Sequence, residues 1–129
     1  MNIKDYSVLI LRLALAFVFL YFGIDKFINP ENWIGYARPL ESLLPFSIAL
    51  FILLLGVIET IVGALLLLGL FTELASIVAF IMLIAIIFTI EFNEISIRDI
   101  ALASIAFYLI FNKTKLSLDN LRKRFLKKS

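Results

Sequence analysis

Two charged residues lie inside long apolar segments of the sequence, where an ionised side chain is costly. Arg12 belongs to the segment of residues 6–28, and Glu59 belongs to the segment of residues 46–68. Burying either charge in a bilayer costs roughly 2.5–3.5 kcal/mol, so such residues usually have a partner or a function. An arginine can polarise a carbonyl group and a carboxylate can exchange a proton. Together they indicate acid–base chemistry.

Helix geometry predicts similar depths for these two charges. At ~1.5 Å per residue, Arg12 would lie about 9 Å from one end of its segment and Glu59 about 15 Å from the matching end of its own. The offset of roughly 6 Å is within reach of an arginine side chain, which permits an Arg12–Glu59 pair. Tyr108, about 16 Å along a later segment, would reach a similar depth and could hydrogen-bond to either charge. Arg12, Glu59 and Tyr108 are therefore the candidate catalytic residues.

Structural interpretations of the same residues stay open. The pair could simply fix the register of two helices, and Arg12 alone could extend to the lipid headgroups. A second polar group is expected where Asp25, Lys26, Arg98 and Asp99 meet at the ends of two segments. We interpret that group as a network at the membrane interface.

The residues around each charge indicate which helix face is buried. One stripe of the first segment is shared by Arg12, Ala16, Phe19, Gly23 and Lys26. Small residues surround Glu59, namely Gly56, Thr60, Gly63 and Ala64. Since small residues let membrane helices approach closely, Glu59 is predicted to point into a helix bundle.

The composition of the chain sets the fold class. Of its 129 residues, 63% are hydrophobic, well above the typical soluble share of about 45–50%. Four apolar segments, at residues 6–28, 46–68, 71–90 and 97–112, approach the length that crosses a bilayer. A soluble bundle would lack the polar surface that it needs. We predict an all-α fold, an integral membrane four-helix bundle that forms one domain over residues 1–129.

Two missing residue types exclude several kinds of chemistry. The sequence has no cysteine and no histidine. It therefore cannot supply a thiolate nucleophile, a Ser-His-Asp triad or an imidazole metal site. We predict no metal site and no intrinsic cofactor.

The connections and the tail predict how the bundle sits in a membrane. A short helix after Pro30 carries Trp33 and Tyr36, as expected at an outer membrane interface. Residues 113–129 hold seven Lys/Arg against one acid, Asp119, so the positive-inside rule places both termini in the cytoplasm of a multi-pass cell-membrane protein. Apolar positions of this tail share one helical face: Leu118, Leu121, Phe125 and Leu126. The tail is thus predicted to be an amphipathic helix on anionic lipid, and not a nucleic-acid-binding arm.

Four short motifs resemble the signature of the DoxX family. The first consists of residues 12–17 and 23–27. The second contains Glu59, Gly63, leucines 65–68, Gly69 and Thr72. The third is Arg98-Asp99, and the fourth is residues 116–119. The resemblance covers nearly the whole chain and implies a four-helix integral membrane protein. Members are associated with membrane redox systems, and the related DoxD subunit belongs to a thiosulfate:quinone oxidoreductase. Related four-helix proteins act as assembly or cargo factors. The histidines that some members carry in their later spans are missing from this sequence.

Two functions follow as expectations. In the first, the protein is a small subunit or accessory of a quinone-linked redox system. Arg12 would polarise a carbonyl of a membrane quinone held between Arg12 and Glu59, and Glu59 or Tyr108 would exchange its proton. In the second, it is a non-catalytic scaffold or assembly factor, with Glu59 and the small residues serving packing or docking. A partner redox subunit or a second copy is expected in either case, and an ion pathway is disfavoured.

Overall fold

The computed structural model describes residues 3–89, 94–112 and 124–126. The described chain is helical and contains no strand. Its α-helices are α1 (Ile3–Ile28), α2 (Glu31–Ala37), α3 (Ile48–Leu68), α4 (Thr72–Thr89) and α5 (Glu94–Phe111), with a 3₁₀ helix at Arg38–Leu43 between α2 and α3. The all-helical class predicted from the sequence is confirmed.

The four long helices begin and end within three residues of the apolar segments of the sequence. The largest differences are at the starts of α1 and α5, which begin at Ile3 and Glu94. Two of the three residues in each extension are polar; a helix tolerates such residues at its ends, but an apolar pattern does not detect them. The predicted tail helix lies outside the described residues except for residues 124–126, whose side chains are exposed.

Local sequence explains where α3 begins and ends. The Ser47 hydroxyl accepts a hydrogen bond from the Leu50 amide at 3.3 Å, which caps the helix. At the other end Gly69 adopts a left-handed conformation with φ 72°, which glycine reaches without steric cost. Residues 69–71 then reverse the chain direction into α4.

Glycines set the register between α1 and α3. Gly23 lies against Gly56 and Thr60, and an added Cβ at Gly23 would lie 2.6 Å from Thr60 Oγ1. Gly63 lies against Leu20, and an added Cβ there would lie 2.9 Å from the Leu20 backbone nitrogen. Later residues of α1 contact earlier residues of α3, so the two helices are antiparallel. The small residues of α3 thus bring two backbones into contact inside the chain.

The remaining long helices complete the bundle. α4 and α5 pack against each other, with the rings of Phe80 and Phe107 5.6 Å apart. The α1–α5 and α3–α4 contacts join this pair to α1 and α3. Small and aliphatic side chains fill the centre, including Leu15, Ala16, Leu66, Ala79, Ala106 and Leu109.

The outer surface of the bundle is apolar. Large side chains that point away from the core include Phe17, Ile61, Ile81, Phe88 and Phe107. In the described part of the chain, α1 and α3 are each long and apolar enough to cross a membrane, and α4 is a shorter apolar helix. A surface of this kind is suited to lipid and not to water.

Candidate functional site

A buried ion pair joins α1 to α3. Lys26 Nζ lies 2.8 Å from Glu59 Oε2, and each side chain is only 6% exposed. Both residues lie about one turn from the closely packed Gly23 and Gly56, so the helices are near enough for the lysine to reach across. Glu59 points into the bundle, as the small residues around it predicted.

Trp33 of α2 covers the lysine of this pair. Lys26 Nζ lies 4.0 Å from the centre of the Trp33 ring, a cation–π contact. The indole Nε1 donates a hydrogen bond to Asp25 Oδ2 at 2.9 Å, and Asn29 Nδ2 donates to Asp25 Oδ1 at 3.0 Å. Asp25 therefore binds the indole N–H at the edge of the Trp33 ring, and Lys26 lies over the face of the same ring. They fix α2 across the end of the bundle.

A second pair of charges comes from α5. Arg98 Nη2 lies 3.3 Å from Asp99 Oδ1, and Asp99 is buried while the arginine side chain is 40% exposed. The guanidinium carbon lies 4.4 Å from the centre of the Phe22 ring on α1. This contact places the α5 pair on the same side of the bundle as the Lys26–Glu59 pair.

These charges line one cavity of about 370 Å³. The volume falls within the range of roughly 300–1,000 Å³ typical of small-molecule sites. All four charged residues of the two pairs contribute to its wall, together with aromatic and aliphatic side chains that include Phe22, Trp33, Tyr36, Phe51, Leu55 and Ile86. We call this space the Lys26–Glu59 cavity. Its surface is almost entirely apolar, and the charged groups contribute only a small part of it, so it offers flat apolar faces with a few polar atoms at their edge.

The predicted pairing of Arg12 with Glu59 is wrong. Glu59 is bound by Lys26, and it lies in the stretch of α3 that packs against Gly23. Arg12 lies about 16 Å along the α1 axis from Gly23, toward the end where residues 69–71 turn. Its side chain is buried, but the described cavity lining does not include it. The depth prediction failed because it treated the ends of α1 and α3 as level, whereas α1 extends beyond α3 at that end.

The structure also separates Tyr108 from Glu59. Arg98 lies over Phe22 on α1. α5 runs antiparallel to α4, since Phe107 lies beside Phe80 whereas Arg98 shares the cavity wall with Ile86, and α4 runs in the same direction as α1. Tyr108 is thus about 15 Å from Arg98 along α5, toward the end of the bundle that holds Arg12. It is 36% exposed and is not among the described residues that line the cavity. Of the three candidate catalytic residues, the cavity contains Glu59 alone.

Sequence reasoning missed the role of Lys26. The expected gathering of Asp25, Lys26, Arg98 and Asp99 is confirmed, but the structure adds Glu59 to that group. The signal was present in the glycines, since aligning Gly23 with the small residues of α3 sets the helix register. That alignment brings the lysine close enough to reach the carboxylate.

The helical fold and its apolar outer surface define a class: a small, all-helical protein of the membrane type. The DoxX family model matches residues 7–91, which is well over half of the chain. The chain belongs to the DoxX family, as its motifs predicted. The matched region includes Lys26 and Glu59 but ends before the Arg98-Asp99 pair. No curated protein and no solved structure gives a significant match to the chain.

Proposed function

We propose that this protein is a multi-pass integral membrane protein that binds a quinone in the Lys26–Glu59 cavity, as a subunit or accessory of a membrane redox system. The observation that carries the proposal is the buried Lys26–Glu59 pair on the wall of a cavity lined by aromatic rings. The association of DoxX-like proteins with quinone-linked redox systems supports the same conclusion.

Four helices cross the bilayer in this proposal. α4 and α5 have 18 residues each. At 1.5 Å per residue an 18-residue helix spans about 27 Å, close to the hydrocarbon thickness of about 30 Å. The excess of Lys/Arg in residues 113–129 supports a cytoplasmic position for both termini, where the tail would bind anionic lipid. Lys26, near the far end of α1, then lies toward the outer leaflet, with α2 above it.

The cavity has the features that a quinone ring needs. A flat ring is accommodated by aromatic side chains such as Phe22 and Trp33. Its carbonyl oxygens are hydrogen-bond acceptors, and Lys26 and Arg98 supply N–H donors on the cavity wall. The apolar remainder of the wall suits the ring substituents and the start of an isoprenoid tail.

The ion pair suits proton transfer to a bound ring. A quinone takes up two electrons and two protons when it is reduced. In the ion pair Lys26 holds the proton and Glu59 is a carboxylate, with their atoms 2.8 Å apart. Lys26 passes its proton to a ligand oxygen, and Glu59 then takes up a proton from water and returns it to the lysine amine, once for each of the two protons. With no cysteine and no histidine in the sequence, the electrons come from a partner redox protein. Arg12 and Tyr108, remote from the cavity, have no part in this proposal.

The scaffold alternative loses the features that first suggested it. Glu59 is bound within the chain, and the small residues of α3 contact α1. Neither is presented to a docking partner. A scaffold function would instead rely on the apolar outer surface, which the proposal assigns to lipid.

Mass spectrometry of gently solubilised protein tests the proposal. Leu55 lines the cavity, whereas its neighbour Leu54 is exposed on the outer side of α3. We expect wild-type protein and Leu54→Phe to retain quinone, and Leu55→Phe to lose at least three quarters of it because the larger ring fills the cavity. Equal retention by the two variants would contradict the proposal. Co-purification of a membrane complex with no quinone in any sample would favour the scaffold alternative.

A further inference from the structure

We propose that Arg98 is the residue that recognises the ligand of the Lys26–Glu59 cavity, and that this ligand is electrically neutral and carries an oxygen acceptor. The inference rests on the proposed function, since it concerns the same cavity. It adds a recognition residue, and it excludes anionic lipids and fatty acids as ligands.

Arg98 has one hydrogen-bond donor, its Nε, that no described residue accepts. One bond, from Nη2, goes to Asp99 at 3.3 Å. Its Nε is buried and has no hydrogen-bond partner among the residues that the structure describes. The guanidinium lies over the Phe22 ring, and Arg98 contributes to the cavity wall. Buried donors are nearly always satisfied in folded proteins, so a turn of the guanidinium that brings this nitrogen to a ligand oxygen in the cavity would supply its missing partner.

Lys26 is less able to serve as the recognition group. Its ammonium is already bound to Glu59 at 2.8 Å and lies 4.0 Å from the centre of the Trp33 ring. Both contacts keep the lysine in place on the cavity wall. Arg98, partly exposed and with an unused Nε, is the cation that can turn toward a ligand without giving up its carboxylate.

The charges around the cavity exclude an anion. The two cations Lys26 and Arg98 are matched by Glu59 and Asp99, and a third carboxylate, Asp25, lies beside the lysine and binds Trp33. An anionic ligand would have to displace one of the paired carboxylates and leave it buried without a counter-charge. A neutral molecule with carbonyl or hydroxyl oxygens takes the unused donor and disturbs neither pair.

The fluorescence of Trp33 reports on this site, because it is the one tryptophan in the sequence and lines the cavity. The probes are decylubiquinone as the neutral ligand and decanoate as an anion with the same tail length. Both are titrated against full-length protein in nanodiscs. In Leu55→Phe the larger ring fills the cavity, so the quenching that remains is collisional quenching by quinone dissolved in the bilayer. Saturable quenching above that level measures binding.

We expect the double variant Arg98→Gln/Asp99→Asn to raise the Kd for decylubiquinone at least tenfold. The double change avoids an unpaired buried carboxylate, so the protein keeps its fold, which circular dichroism and Trp33 emission verify. Arg38→Gln is the control, since Arg38 is exposed and pairs with Glu41 away from the cavity wall. It should bind as wild type does. Decanoate should not compete at concentrations that saturate the bilayer.

Two results would overturn the inference alone: wild-type affinity for decylubiquinone in the double variant, or loss of the saturable quenching when decanoate is added. A wild-type protein without any saturable quenching would overturn the proposed function, and this inference with it. The two failures are therefore distinguishable in a single series of titrations.

Discussion

Lys26 and Glu59 stabilise each other only as a pair. Each is buried, and either charge alone in a low-dielectric interior would carry a large desolvation cost. Trp33 adds a cation–π contact to the lysine, which keeps its ammonium away from lipid and water. Replacing one member of the pair should therefore lower the free energy of unfolding more than replacing both.

Replacing one member of the pair tests this directly. Lys26→Met should lower the free energy of unfolding by roughly 3–5 kcal/mol, because it leaves Glu59 buried without a counter-charge. The double variant Lys26→Met/Glu59→Gln should recover most of that loss. Lys4→Met, which changes an exposed lysine near the start of the same helix, is the control and should have little effect.

Reversible unfolding in mixed detergent micelles gives the free energies of unfolding of the wild type and of the three variants. If the double variant is less stable than Lys26→Met alone, the pair is not the source of the stability, and the ion-pair interpretation of this site is wrong.

At the scale of the helices, the contact between α1 and α3 positions the site. The apolar pattern of the sequence was sufficient to place the four long helices within three residues of their observed bounds. It was not sufficient for the register between helices, since hydrophobicity carries no information on which residues of two helices lie level. Register depends on a few close contacts, such as that of Gly23 with Thr60. The wrong pairing of Arg12 with Glu59 and the missed role of Lys26 both arose because the sequence pattern did not give the register between α1 and α3.

Glycine substitutions test the register. Gly63→Ala should lower the free energy of unfolding by about 1–3 kcal/mol, since the new Cβ would press on the backbone of Leu20. It should also weaken quinone binding, because α1 and α3 carry Lys26 and Glu59. Gly35→Ala in α2 is the matched control, since an added Cβ there meets no atom within 4 Å.

Thermal unfolding of the two alanine variants, together with Trp33 quenching by decylubiquinone, makes the comparison. Equal stability and equal quenching in both variants would show that the α1–α3 contact does not set the site.

At the scale of the whole molecule, polarity is concentrated at two places in a largely apolar protein. The Lys26–Glu59 cavity lies beneath α2, and the basic tail follows α5 at the other end of the chain. The exposed side chains of the long helices between them are mostly apolar. In the proposed orientation, the cavity lies toward the outer leaflet and the tail lies in the cytoplasm. In the proposed function, a lipid-soluble ligand would reach the charged groups from within the membrane, and a redox partner would act from outside it.

The central claim is that a quinone occupies the Lys26–Glu59 cavity, and photoaffinity mapping tests it most directly. An azido-quinone is irradiated with the protein in nanodiscs, with and without excess decylubiquinone, and labelled peptides are located by mass spectrometry. The account predicts competed labelling of cavity residues, with Phe22, Trp33 and Phe51 foremost. Labelling confined to lipid-facing residues such as Phe17 and Phe88, and unaffected by competitor, would contradict it.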